Sequence, residues 1–190
     1  MAESEPQPNA ASVADKLRWL MDRAEIQDLL DSYSRGVDHG DLELTRQLYH
    51  DGAIDDHGIF SGDGDEFAGY VIPRTQRQFT AMQHHRTTTS MDIRGDDAEV
   101  ESYWLSVCRN QDGALQLASG RFADHFARRN GRWGVVHRQL INDWTLLLED
   151  PAPGPQDELF LKGRIDQEDA ARSLLPRLVK GGFFGNRPRR

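Results

Sequence analysis

A chain of 190 residues, 37% hydrophobic and 28% charged, is the size of one domain and has enough apolar residues to fill a core. Its net charge of −8 argues against a body built to grip nucleic-acid phosphates, which needs clustered lysine and arginine. A single cysteine, Cys108, excludes an intramolecular disulfide, and its apolar strand pattern marks it as core rather than a reactive thiol.

Residues 1–11, rich in Pro, Glu and Gln, read as a disordered leader with neither the basic nor the apolar stretch of a secretory signal. No apolar run approaches the ~20 residues of a membrane span, so a soluble, cytoplasmic protein without nucleic-acid or membrane partners is expected. Residues 12–150 read as the folded domain and 151–190 as a C-terminal extension. Ser12 and Asp15 form a capping-box pattern that starts a short helix. Asp22 and Glu25 repeat the pattern ahead of Ile26, Leu29, Leu30, Tyr33 and Val37 at helical spacing, and Gly40 suits the end of this second helix. Asp41 caps a short helix carrying Leu44 and Leu48. Residues 53–60 read as a strand, followed by turn-rich 61–65. Pro73 is placed at the first position of a helix running to about Gln83.

From there the period changes to two. Strands are expected over 84–94, 98–109, 114–128 and from Trp133 to about Leu148. They are separated by Gly95-Asp96-Asp97, Asn110 to Gly113, and the hairpin signal Asn130-Gly131. Helices first and long antiparallel strands after them predict an α+β fold, with helices packed on a curled sheet that encloses a cavity for a small ligand. Pro151 to Pro155 closes the domain. Residues 157–180 have partial helical character, suiting an interface arm or a pocket lid, and 181–190 read as a mobile basic tail.

Tyr33, Asp38 and the pair His84-His85 carry the chemistry. A carboxylate that orients an imidazole base, with a phenol as proton donor, can run elimination or isomerisation without a cofactor. Asp38 near a helix C-terminus opposes the helix dipole, so a compensating partner such as a histidine is expected; the plain alternative is a solvated charge. Adjacent strand residues face opposite sides, so one of His84 and His85 faces the cavity in either register. Tyr33 lies on the apolar stripe of its helix and reads equally as core. Arg121 is on the opposite strand face from Phe122 and Phe126. If those phenylalanines pack outside the cavity, Arg121 points in and can bind a carboxylate or enolate; the plain alternative is an ordinary surface or interface arginine. Asn142 and Arg138 share a face of the last strand and are further binding candidates. Asp55, Asp56 and His57 with His84 and His85 could ligate a metal, but no metal-binding spacing supports this, and no metal or cofactor is expected.

The order of these pieces resembles the SnoaL-like group of the nuclear-transport-factor-2-like superfamily, over about residues 15–148. The resemblance rests on Tyr33 to Asp41, on Leu48 to Ala53, and on His84 ahead of Gly95-Asp96-Asp97-Ala98. It continues through Gly120 to Asp124, Asn130 to Trp133, His137-Arg138 and Asp143-Trp144. It implies a cone-shaped α+β barrel with a mostly apolar pocket. Relatives include scytalone dehydratase, bile-acid 7α-dehydratase, hexachlorocyclohexane dehydrochlorinase, steroid isomerases and polyketide cyclases, several of which use an Asp–His pair. The family pattern favours His84 over His85 as the base, and the chain departs from it at Thr88, where relatives often carry Asn. The expected activity is a cofactor-independent, dehydratase-like lyase acting on a small hydrophobic cyclic or aromatic molecule. Tyr33, Asp38 and His84 are the expected catalytic residues, with His85, Arg121 and Asn142 as substrate contacts. The alternatives are double-bond isomerisation, retro-aldol C–C cleavage, or a non-catalytic assembly subunit like the β-subunits of ring-hydroxylating dioxygenases. A homodimer or homotrimer is expected.

Overall fold

The computed structural model describes residues 12–149, 162–166 and 168–175. The expected leader, the proline-rich segment after the domain and the basic tail lie outside the described residues. The chain opens with one long helix, α1 (Val13–Asp38), where two were expected. Ser12 caps it with the reciprocal Asp15 bonds of a capping box. Asp22, read from sequence as a second cap, is instead a buried carboxylate in mid-helix. It accepts from Trp133 Nε1 at 3.1 Å and from Arg128 at 2.5 and 3.2 Å. A distant tryptophan and arginine satisfy the acid, so the helix has no reason to break there.

Helix α2 (Leu42–Arg46) starts at its Asp41 cap, as its sequence indicates. Strands β1 (Tyr49–Asp56) and β2 (Ser61–Asp63) follow as an antiparallel pair. Helix α3 (Gly64–Gln78) begins nine residues earlier than expected and encloses Pro73. Its start is set by Asp63, whose carboxylate accepts from the Asp65 and Glu66 N–H groups. Its place is set by Phe67, Ala68, Val71 and Ile72, which are buried. Proline's preference for the first turn loses to that cap and that buried face.

Four long strands complete the sheet: β3 (Phe79–Arg94), β4 (Asp97–Asn110), β5 (Leu115–Arg129) and β6 (Arg132–Leu148). The turn between β5 and β6 uses Asn130 and Gly131, both at positive φ (53° and 74°), the backbone form that a two-residue hairpin requires. Strand order is β2-β1-β6-β5-β4-β3, with β1 and β6 parallel and every other pair antiparallel. Register shifts within β3–β4, β5–β6 and β1–β6 mark bulges, which strengthen twist and help the sheet curl without closing. The concave face buries Val100, Trp104, Cys108, Phe122 and Phe126 against Ile26, Leu30, Tyr33 and Val37 of α1. This is the α+β arrangement of helices on a curved, mainly antiparallel sheet.

The described part of the C-terminal extension lies across the end of α1. Ile165 is buried in the core, and its carbonyl accepts from Gln76 Nε2 of α3 at 2.9 Å. Asp169 caps α4 (Ala170–Leu174) and stands 3.3 Å from His39, and Arg172 bonds to Asp41 at 3.1 Å.

Candidate active site

Helix α1 carries two functional candidates five residues apart, hence about 7.5 Å apart along its axis and on adjoining faces. Asp38, in the last turn, reaches strand β3. Its Oδ1 lies 2.6 Å from His84 Nδ1, and its Oδ2 accepts the His84 backbone N–H at 2.9 Å. One carboxylate thus holds both the ring and the backbone of its histidine. Their side chains remain 17% and 21% exposed, respectively, so the pair is reachable. With Nδ1 donating to Asp38, the neutral ring leaves Nε2 as a bare base, and Nε2 has no partner among the described residues. His85, also expected as a substrate contact, is exposed on the other face of β3, because adjacent strand residues point to opposite sides.

Tyr33 sits deeper and is buried. Its ring meets Tyr49 and Phe122 edge-on, with centroids 6.3 and 6.2 Å away. Its hydroxyl is 3.4 Å from His57 Nε2. Burial raises the phenol well above its ordinary value, only partly opposed by the Arg138 cation, so Tyr33 stays protonated. His57 belongs to a second aspartate–histidine pair. Its Nδ1 bonds to Asp55 Oδ1, while Asp55 Oδ2 accepts from Tyr49 Oη at 2.5 Å. The His57 ring stacks on Phe67 with centroids 4.1 Å apart. From sequence alone Asp55 and His57 stand only as metal candidates. The signal available for this role was their i, i+2 spacing on one strand face, but nothing in sequence brings that face to Tyr33. Among the described residues no three His, Cys, Asp or Glu side chains converge as metal ligands.

Arg138 is fully buried and bonds bidentately to Asp124, with both contacts at 2.7 Å. Its guanidinium lies 4.5 Å from the Tyr33 ring centre and 4.2 Å from that of Phe122. A bidentate partner and desolvation by the aromatic rings explain how an arginine reaches the core.

The other two expected substrate contacts, Arg121 and Asn142, also lie away from the Asp38–His84 pair. Phe122 and Phe126 pack inside, so the alternation of β5 turns Arg121 outward, where it pairs with Glu101 at 3.4 Å and Asp143 at 3.2 Å. Asn142 is exposed beyond the enclosed part of β6 and bonds to Thr145. Cys108 is core, its thiol pushed up to about 12 by burial, with Asp38 nearby adding to the rise.

The family model of the SnoaL-like domain matches residues 18–139. The chain belongs to the SnoaL-like family. Among solved structures it resembles a candidate scytalone dehydratase from Novosphingobium aromaticivorans, at 19% identity and TM-score 0.64 over 74% of this chain and 96% of that one. It resembles a hexachlorocyclohexane dehydrochlorinase, LinA type 3 from Novosphingobium barchaimii, at 20% identity and TM-score 0.67 over 74% and 99%. A nuclear-transport-factor-2-like protein of Salmonella enterica matches at 20% identity and TM-score 0.60 over 65% and 92%. No curated protein sequence matches the chain. At these identities the structural matches speak for the fold. No helix among the described residues is long and apolar enough to cross a membrane.

Proposed function

We propose that this SnoaL-like protein is a cofactor-independent lyase that eliminates water, or a similar leaving group, from a small hydrophobic cyclic or aromatic molecule. The observation that carries this reading is the 2.6 Å Asp38–His84 contact, with Nε2 of the ring unpartnered among the described residues and the pair still partly exposed. His84 Nε2 removes a proton from a carbon beside an activating group. The C–H electrons become a double bond, the adjacent C–O bond breaks, and Tyr33 donates its proton to the departing oxygen. The proton on His84 then returns through solvent to the Tyr33 phenolate. Asp38 fixes the ring orientation and stabilises the imidazolium that forms. Burial keeps Tyr33 an acid until the leaving oxygen accumulates charge, and the His57–Asp55 pair orients its hydroxyl. Where the substrate lacks a leaving group, the same base and acid would move a double bond.

Self-association into a dimer or trimer fits the apolar groups left on the surface. Val13, Leu17 and Leu20 of α1 and Leu146, Leu147 and Leu148 of β6 are exposed. A groove of about 470 Å³ lined by Asp15, Lys16, Trp19 and Leu20 lies at the end of α1 far from Asp38.

The test is turnover of a panel of cyclic β-hydroxy ketones, followed by the absorbance of the conjugated product. His84→Ala and Asp38→Asn should each lower the rate by about 10²–10⁴-fold. Turnover intact in both variants sinks the mechanism.

A further inference from the structure

Beneath α1 the sheet carries donors that neither aspartate–histidine pair uses. Arg86 stands two residues beyond His84 on the same face of β3, about 6.6 Å along the strand. Its side chain is 6% exposed. One nitrogen, Nη2, bonds to Asp31 of α1; Nε and Nη1 are buried with no hydrogen-bond partner among the described residues. Trp104 of β4 is the register partner of Arg86, and its indole Nε1 is likewise buried and unpartnered. Arg138 gives Nε and Nη2 to Asp124 and keeps Nη1 unpartnered. Ser102, the register partner of Phe122, is fully buried with an unpartnered hydroxyl.

These groups form one cluster. The Trp104 ring packs on Phe122 at 6.0 Å between centroids, and the Arg138 guanidinium packs on the same Phe122 ring at 4.2 Å. The charges of Arg138 and Asp124 both act on Arg86, which places it in the same interior. A buried donor without a partner costs about 1–3 kcal/mol, and more when charged. Several together would consume much of the net stability of an ordinary domain, about 5–15 kcal/mol. Asp31 does little to offset this, since it is 62% exposed and touches only one of three nitrogens. The acceptor that these donors lack is a compact group with several lone pairs, and an ionised carboxylate, which only accepts, can take one bond from Arg86 Nη1 and others from Trp104 Nε1 and Arg138 Nη1.

We propose that Arg86, with Trp104 Nε1 and Arg138 Nη1, is a binding subsite for a carboxylate carried by the substrate, which is therefore a ring acid rather than a neutral hydrocarbon. The inference deepens the elimination reading by naming its substrate class, but the binding does not require His84. A carboxylate held here places the ring it is attached to along β3, toward His84.

The experiment is calorimetric titration of the full chain with benzoate and with benzamide, its uncharged counterpart. Benzoate is expected to bind at least tenfold more tightly than benzamide. Arg86→Met should bring benzoate down to the level of benzamide and leave benzamide unchanged. Trp104→Phe keeps the ring and removes one donor, so it should weaken benzoate several-fold and benzamide not at all, and it serves where Arg86→Met does not fold. The titration reads binding without turnover, so the subsite stands even if the elimination mechanism falls. Benzoate binding no better than benzamide, neither probe binding, or a benzoate preference that survives both Arg86→Met and Trp104→Phe would overturn the subsite.

Discussion

The two aspartate–histidine pairs, Asp38–His84 and Asp55–His57, use the same residues for different ends. In the first, the carboxylate holds its histidine by ring and backbone, the side chains are partly exposed, and Nε2 is open. In the second, Asp55 is fully buried, its other oxygen is taken by Tyr49, and Nε2 of His57 faces the Tyr33 hydroxyl. A base needs a bare nitrogen that a substrate can reach; an orienting element needs every atom engaged. In the proposed mechanism the first pair therefore takes a proton and the second positions one. Their place in the fold follows the same division. Asp38 and His84 lie where a helix end meets a strand, whereas Asp55 and His57 lie against Phe67 and Tyr33 in the core.

The contrast breaks most decisively through substitution. His84→Ala is expected to lower turnover by up to about 10⁴-fold while leaving the midpoint of urea unfolding nearly unchanged. Asp55→Ala should act mainly on stability, with a smaller loss of turnover as the Tyr33 hydroxyl loses the pair that orients it. It strands the Tyr49 hydroxyl and the His57 ring in the core, a loss of about 3 kcal/mol in unfolding free energy. If Asp55→Ala leaves stability intact and abolishes turnover, the division of labour is wrong.

A smaller effect sharpens the role of the helix end that carries Asp38. Gly40 has φ +63°, and a Cβ there would lie 2.6 Å from Gln76 Nε2 and 2.8 Å from the Ile165 carbonyl. Gly40→Ala should cost about 1–2 kcal/mol, and limited proteolysis should then cut near residues 162–166 faster than in the parent. Unchanged cleavage would mean that the C-terminal segment does not depend on this close approach.

The smallest effect concerns a histidine outside both pairs. His50 donates from Nε2 to the Ala127 carbonyl at 2.9 Å and accepts from Arg132 at its Nδ1 at 3.2 Å, an arrangement that needs the neutral ring. Burial depresses its folded value below 6.5, with the neighbouring arginines adding to the drop. Between the two values the unfolded chain binds more protons than the folded one. The stability that His50 contributes is therefore complete above 6.5 and is lost as pH falls toward the folded value. Urea midpoints across pH 5 to 8 should show part of the acid-side loss disappearing in His50→Gln, and an unchanged profile would rule out His50 as a contributor.

Much of the fold was legible because its signals are local. Asn130-Gly131, the Gly95 turn, the Asp41 cap and the alternation of β4 each specify their own geometry. The errors arose where a distant residue overrides a local pattern. Asp22 looks like a cap until Trp133 and Arg128 claim it. Pro73 looks like a helix start until Asp63 and the buried face of α3 set an earlier one. The same holds in the site. Asp38 and His84 could be paired in advance from helix electrostatics and the family pattern. The inward turn of Phe122, which sends Arg121 out, is a property of the assembled sheet. So is the meeting of β1 with Tyr33, which makes His57 a neighbour of the phenol.

The proposed mechanism requires Asp38 to hold His84 with its Nδ1 protonated and its Nε2 bare. Two-bond ¹H–¹⁵N correlation of the ¹⁵N-histidine-labelled protein reads this tautomer directly, with His84→Gln assigning the signal. The expected result is a His84 ring that, when neutral, carries its proton on Nδ1 and changes in Asp38→Asn. A His84 ring in the ordinary Nε2–H form, identical in the parent and in Asp38→Asn, would contradict it.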